Sequence, residues 1–543
     1  FGIYTQTSNT DNYLPPEHTS FADYTDENYF RRGSYDYSTN KSSRYNFSLT
    51  ANYSKVFAEK HMVYAGLNMD LEDQRSRGYS FSVEGFPSGS LDFLSVAMQY
   101  KENGKPGGSE SKSRRVGFVG NASYSFEDRY FVDASFRTDG SSLYGSDRRF
   151  APFWSAGIGW NIHREGFMSD VDWINRLKIR ASVGETGSNN FSSYEAMATY
   201  AYSLSDRYYN WMGANMKALA NPDLEWQKTM KYNAGIEVNM LNNRLSMICD
   251  LYLERTNGLM SSLELPPSNG FSSYKANIGK LENKGFELKV TGYLLRDTER
   301  ELIWSVTGSL VRNKDKIIEL SEAMKEANAT LLETGGATPN KIWQEGDSQN
   351  AIYAVRSLGI DPSNGRELFL KKNGEVTYTW DANDRVFCGV DQPDYRGNIN
   401  TMFMWKDLSV NLSFGYEWGG QQYNSTLISR VENADKKYNV DRRVYEDRWK
   451  EPGDRTFFKG INETTATQAT SRFVQDEATF TCQNLNVTYD LKGNKWLKRN
   501  LGIQTLTLKG DIADLFRIST IKQERGTSYP FSRQFSFTLS AMF

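Results

Sequence analysis

Residues 231–255 read KYNAGIEVNMLNNRLSMICDLYLER, and their hydrophobicity alternates with a period of two. Tyr232, Ala234, Ile236, Val238 and Met240 fall on one side, continued after a short break by Leu245, Met247, Cys249, Leu251 and Leu253. The other side carries Lys231, Asn233, Glu237 and Asn239, then Ser246, Asp250, Tyr252 and Glu254, with Ile248 the one apolar exception. Strand side chains point alternately to two faces, so this spacing predicts a β-hairpin with one oily and one wet face. The pattern recurs at 286–294, at 408–418 and in the last segment, where Phe535, Phe537, Leu539, Ala541 and Phe543 share a face. Along the whole chain it predicts about seven hairpins and a closing strand.

The connections fall into two classes. Tight ones lie at 57–60, 127–129, 241–244, 295–300 and 406–407, with 163–176 the longest of the short kind. Long ones occupy 75–113, 140–151, 188–228, 257–280, 313–396, 419–473 and 515–531. Short and long alternate. Successive turns of an up-and-down barrel lie at opposite ends, so one end is tight and the other elaborate, as in bacterial outer-membrane barrels. A soluble sandwich or propeller also has regular short strands, but nothing in it segregates loop lengths this way.

The expected fold is therefore all-β: an antiparallel transmembrane β-barrel wall of about 15 strands, with short periplasmic turns and long extracellular loops. Residues 1–44 are expected to form an extracellular loop and 45–543 the barrel portion. An odd count of strands, where single-chain bacterial barrels are even, predicts further strands upstream. An open edge inside lipid would leave costly unpaired backbone groups.

Composition permits this and removes alternatives. Hydrophobic residues are 38% and charged residues 24% of 543, with mean hydropathy −0.63, which excludes a bundle of membrane helices. A barrel wall exposes an apolar residue only at every second position, so its mean hydropathy stays low. Aromatics at 14% suit girdles at two membrane interfaces, and a net charge of −2 gives no field for nucleic acid. Cys249, Cys388 and Cys482, with His18, His61 and His163, have no metal-ligand spacing, so no metal or cofactor is expected. No catalytic arrangement is recognisable, so the chain does not read as an enzyme.

Candidate binding chemistry sits in the long loops. Tyr208, Tyr209, Trp211, Trp343, Trp380, Trp418 and Tyr423 offer flat apolar faces with a polar handle, suited to sugar rings or peptide side chains. The same residues suit packing of loop against loop. Residues 359–374, GIDPSNGRELFLKKNG, offer only Asp361 and Asn364 as oxygen ligands, too few for calcium, so a turn without metal is expected. The DGSS and RRF residues (Asp139 to Ser142, Arg148 to Phe150) read as loop architecture, and Gly117, Gly120, Gly157 and Gly159 as close packing or bulges in strands.

Several segments resemble the SusC/RagA family of TonB-dependent outer-membrane transporters from Bacteroidetes. Among them are RTDGSSLYGSDRRFAPFWSAGIGWNI (137–162), LKIRASVGETGSNN (177–190), NPDLEWQKTMKYNAGIE (221–237) and DLYLERTNGLM (250–260). NIGKLENKGFEL (277–288), QPDYRGNINTMFMWKDLSVNLSFGYEWGGQQYN (392–424), DRWKEPGD (447–454) and SRFVQDEATFTCQNLNVTYDL (471–491) continue the match in family order. The resemblance implies a 22-stranded barrel whose plug, TonB box and first strands are absent from this chain. It implies import of large nutrients, oligosaccharides or peptides, with a SusD-like surface lipoprotein as lid and TonB as the source of work. The alternative is a TonB-dependent receptor for a small chelate, such as a siderophore or cobalamin, working without a lid.

Overall fold

The computed structural model describes all residues except 103, 146–148, 189–193, 195, 210, 222–223, 265–269, 272, 334, 436, 438, 493–494 and 523–532. Arg148 and the Pro222-Asp223 pair, both within the family-like segments, therefore lie outside the described residues.

The wall is a single antiparallel meander. Its first strands are β1 (Gly2–Leu14), β2 (Ser34–Phe57), β3 (His61–Glu84), β4 (Gly107–Phe126), β5 (Tyr130–Ser141) and β6 (Phe150–Asn161). Next come β7 (Ile174–Ser188), β8 (Gln227–Met240), β9 (Leu245–Glu264), β10 (Ser273–Asp297) and β11 (Leu302–Leu320). The last are β12 (Tyr395–Trp405), β13 (Leu408–Tyr423), β14 (Val474–Lys492), β15 (Thr505–Ser519) and β16 (Phe535–Met542). Each pairs with its successor, and the two-residue strand Gln99–Tyr100 adds to the edge of β3, making a 17-stranded sheet.

The expected external loop over 1–44 needs correction. Gly2–Leu14 pairs residue by residue with Ser34–Asn46, so only 15–33 is a connection, and the wall gains one strand over the alternation count. Below Asn46, β2 is bonded on one side only, to β3. Among the described residues β1 and β16 do not pair with each other, so the sheet is an arc rather than a closed ring.

Tight turns close where they were expected. Ala58 and Glu59 (φ 47° and 60°), Glu127 and Asp128 (51° and 53°), and Leu241 to Asn243 (55° to 59°) adopt the left-handed conformation. Positive φ at successive residues is what a two-residue hairpin needs to match the twist of its strands.

Register carries the alternation across the sheet. Ile158, Ala181, Ala234, Leu251 and Phe286 line up on five neighbouring strands, forming one apolar row. Ile236 and Leu251 are 42% and 58% exposed, and among the described residues no second layer of polypeptide lies over that face. The opposite face holds ion pairs: Arg180 grips Asp250 through two 2.7 Å hydrogen bonds, and Lys231 meets Glu254 at 2.8 Å. Gly235 lies between Arg180 and Asp250, and a side chain there would fill the space of that ion pair.

Aromatic rings band both ends of the apolar face. At the tight-turn end His61, Phe126, Tyr130 and Trp160 follow one another at 5.0, 6.5 and 6.4 Å between ring centroids. Glu165 accepts hydrogen bonds from the Tyr130 hydroxyl and the Trp160 indole. At the long-loop end Trp418 stacks on Tyr395 (5.2 Å) and Tyr416 (5.4 Å), and the Arg312 guanidinium lies 5.4 Å over Tyr395. Rings with a polar tip belong where an apolar layer meets water.

The buried core gathers at the long-loop end of the sheet. Leu427, Ile428, Val431, Val444, Phe458 and Phe473 pack together at the long-loop end, as do Leu281, Ile317, Leu320 and Met324. The first cluster is made by loop residues, whereas Leu281, Ile317 and Leu320 belong to the loop-side ends of β10 and β11, where Met324 of the following connection covers them.

Candidate functional site at the long-loop end

Two long connections, 321–394 and 424–473, fold into one body. The first contains the helix Glu322–Glu333 and a small sheet in which Ala351–Ile360 pairs with Glu367–Leu370 and with Arg385–Val390. The turn between the first two of these strands is the GIDPSNG segment. Asp361 accepts from the Ser363 amide and hydroxyl (both 2.8 Å) and from the Tyr378 hydroxyl (2.5 Å), while Gly365 at φ +74° completes the reversal. These bonds, Tyr378 first, hold the Asp361 carboxyl below its ordinary range.

The second connection binds the first through its backbone. Val355 bridges to Thr470, the Ala469 amide donates to the Gly336 carbonyl (2.8 Å), and the Gly460 amide donates to the Gly365 carbonyl (2.9 Å). Gly365 has no side chain where the Trp449 ring lies, and the Trp449 indole donates to the Pro362 carbonyl (2.9 Å).

A charged node joins the two. The Arg472 guanidinium binds Glu367 through Nε (3.0 Å) and Nη2 (2.8 Å), and the same Nη2 meets Glu432 at 2.8 Å. Side-chain exposures are 5% for Arg472, 5% for Glu367 and 0% for Glu432. Burial opposes the Arg472 charge, but attraction to Glu367 and Glu432 outweighs it and holds the proton more tightly than usual. Arg448 donates to the carbonyls of Val431, Glu432 and Lys459. Burial lowers the proton affinity of both Arg448 and Lys459.

Beside this node opens a cleft of about 540 Å³, with Phe369, Tyr378 and Trp380 on one side and Lys459, Thr467 and Gln468 on the other. A second recess, about 610 Å³, lies against the inner wall where Arg137 meets Asp139 at 2.5 Å. Asp139 and Gly140 of the DGSS segment line it. Gly140 lies beneath the Phe150 ring, and the Ser142 hydroxyl accepts from the Arg114 amide (2.9 Å).

The aromatic candidates do not converge. Tyr208 and Trp211 pair near the tip of a hairpin, Thr199–Tyr208 with Trp211–Ala218, and the side chain of Tyr208 lies outside the described residues. Tyr209 and Trp211 are 86% and 78% exposed there. Trp380 lines the cleft and donates to the Ala469 carbonyl (3.1 Å). Tyr423 is held in the loop core, its hydroxyl donating to the Ala337 carbonyl (2.8 Å). Trp418 is no loop residue at all. It lies within β13 on the face opposite Glu417, in the outer aromatic band, so its placement in a loop is corrected. Trp343 packs against the cluster around Ile317. Arg448, Lys459 and Arg472 were missed by sequence reading.

Residues 1–321 match the family model described as TonB dependent receptor-like, beta-barrel. TonB-dependent receptor P39 of Formosa agariphila is 24% identical over 519 residues, covering 86% of this chain and 48% of its own length. TonB-dependent receptor SusC of Bacteroides thetaiotaomicron is 27% identical over 338 residues, covering 59% of this chain and 33% of its own. The chain thus spans about half or less of the curated relatives it matches. Among solved structures, the RagAB peptide importer in its open-open state superposes with a TM-score of 0.82 at 22% identity, over 100% of this chain and 58% of that one. With its outward apolar wall, segregated turns and this family match, the chain belongs to the TonB-dependent receptor-like β-barrel family and resides in the outer membrane.

Proposed function

We propose that this wall and its loops serve a TonB-dependent importer of large nutrients, oligosaccharides or peptides, acting with a SusD-like surface lipoprotein. The observation that carries the reading is the division of the molecule. A lipid-facing wall supports a loop body with its own buried core and an aromatic-lined cleft. Its relatives include SusC, and its fold matches that of RagAB, which is described as a peptide importer. Coupling to TonB would run through a plug and TonB box upstream of these residues. A lipoprotein closing over the loops would exclude water from the many weak contacts that a large substrate makes.

Purification of the tagged full-length protein from outer membranes tests the reading. It is expected to bring down one lipoprotein in near-equal amount, and deletion of the gene is expected to abolish growth on one class of polymer. A lone barrel with no growth defect on glycans or peptides would overturn it.

A further inference from the structure

Lys459 lines the loop cleft although it is 5% exposed. Its ammonium has three donors, and among the described residues the one acceptor within reach is the Thr465 carbonyl. The surrounding charges do not balance. Arg448, Lys459 and Arg472 are buried cations, whereas Glu367 and Glu432 are the buried carboxylates beside them. Glu463 stands at the rim, 3.6 Å from Arg366, and its charge also attracts Lys459. Among the buried side chains of the node the cations outnumber the carboxylates by one, and of the three cations it is Lys459 that lines the cleft.

An uncompensated buried charge is costly, and an entering anion relieves the cost. Burial also lowers the proton affinity of Lys459, outweighing the attraction of Glu432 and Glu463, neither of which is hydrogen-bonded to it among the described residues. The rings of Tyr378, Trp380 and Phe369 line the same cleft, whose size suits a small ligand unit.

We infer that this cleft binds a carboxylate-bearing unit of the imported substrate, with the carboxylate on the Lys459 ammonium and an adjoining ring or apolar side chain against Tyr378 and Trp380. The carboxylate can come from an acidic sugar or from the C-terminus of a peptide. This inference rests on the importer reading.

Calorimetric titration of the full-length protein in detergent tests it with four probes: a galacturonate disaccharide, its methyl ester, the tripeptide Ala-Ala-Phe, and that tripeptide amidated. At least one acid probe is expected to bind, with its neutral partner weaker by about tenfold or more, the worth of one charge-assisted hydrogen bond. Whichever acid binds identifies the source. Lys459→Gln is expected to erase the preference, and Ala466→Trp, filling the cleft from an exposed position, to abolish binding without touching the charges. Failure of both acids to bind, equal binding of acid and neutral forms, or wild-type binding by both variants would overturn the inference. If a growth defect on deletion persists in that case, the importer reading stands and only this site falls.

Discussion

Arg472 sits between two buried carboxylates, so replacing it with Met takes from Glu367 and Glu432 the one cation bonded to both. Removing one partner of a buried ion pair costs about 3–5 kcal/mol, chiefly because the remaining charge is stranded. Here the two carboxylates belong to segments 65 residues apart in sequence, and Arg472 also donates to the Phe457 carbonyl. The loss should open the loop body while the wall, held by its own ladder, remains folded. At 1.4 kcal/mol per decade, even the lower end of that range raises the open population by about a hundredfold. Digestion by proteinase K of the full-length protein in outer-membrane vesicles reads that population, since cleavage follows local opening. Arg472→Met is expected to be cut within 424–473 about a hundred times faster than wild type, with heat-modifiable migration of the barrel unchanged. The double variant Arg472→Met, Glu367→Gln removes one of the two carboxylates that Arg472 binds, leaves Glu432 beside the buried cations Arg448 and Lys459, and should recover much of the resistance. A single variant cut at the wild-type rate would refute the reasoning, as would a double variant no more resistant than the single.

Other sites give independent outcomes. Leu251→Arg places a cation on the outward face, at a cost of about 2–4 kcal/mol near the membrane midplane, and should reduce the yield of heat-modifiable protein in membranes; an unchanged yield would show that this face is not in lipid. Gly235→Ala puts a methyl group into the Arg180–Asp250 ion pair and should lower the urea midpoint of the barrel, by an amount equivalent to about 1–3 kcal/mol, whereas Gly120→Ala, with only Leu67 nearby, should not. Asp361 is held below its ordinary value of 3.8, so its contribution is complete above that pH and lost as pH falls through the lowered value. Hydrogen exchange at 361–366 should therefore be faster in Asp361→Asn than in wild type at neutral pH, with the difference closing in acid.

Much of the wall was legible because a membrane barrel has one rule for each face. Alternation named the strands, and alternating loop lengths named their direction. The strand Gly2–Leu14 escaped because its middle, Thr5 to Asn12, is polar on both faces and exposed, leaving no period to read. Trp418 was the opposite case. Its spacing from Val410, Leu412, Phe414 and Tyr416 already pointed it outward, and grouping it with the loop aromatics discarded that information. The Arg472 node had no local signal: its partners lie 105 and 40 residues away in sequence, and the meeting is made by loop packing that no periodicity encodes.

The division between wall and loops has a consequence for recognition. A strand in the wall must satisfy lipid on one side and water on the other, so each residue there has only one face to vary. Loops with their own core escape that constraint. Phe473 and Ile428 enclose enough apolar surface to hold Arg472 in place, and Arg472 in turn fixes Glu367 beside Tyr378 and Trp380. Side chains locked by packing can keep a binding geometry that a free loop cannot. The hairpin carrying Tyr209 and Trp211 lacks such a core among the described residues, and its exposed tip is held by the pairing of its two short strands. Ordering that hairpin on a ligand would cost conformational entropy that the node has already spent, so a pre-formed contact belongs at Lys459 and Trp380 rather than at the hairpin tip.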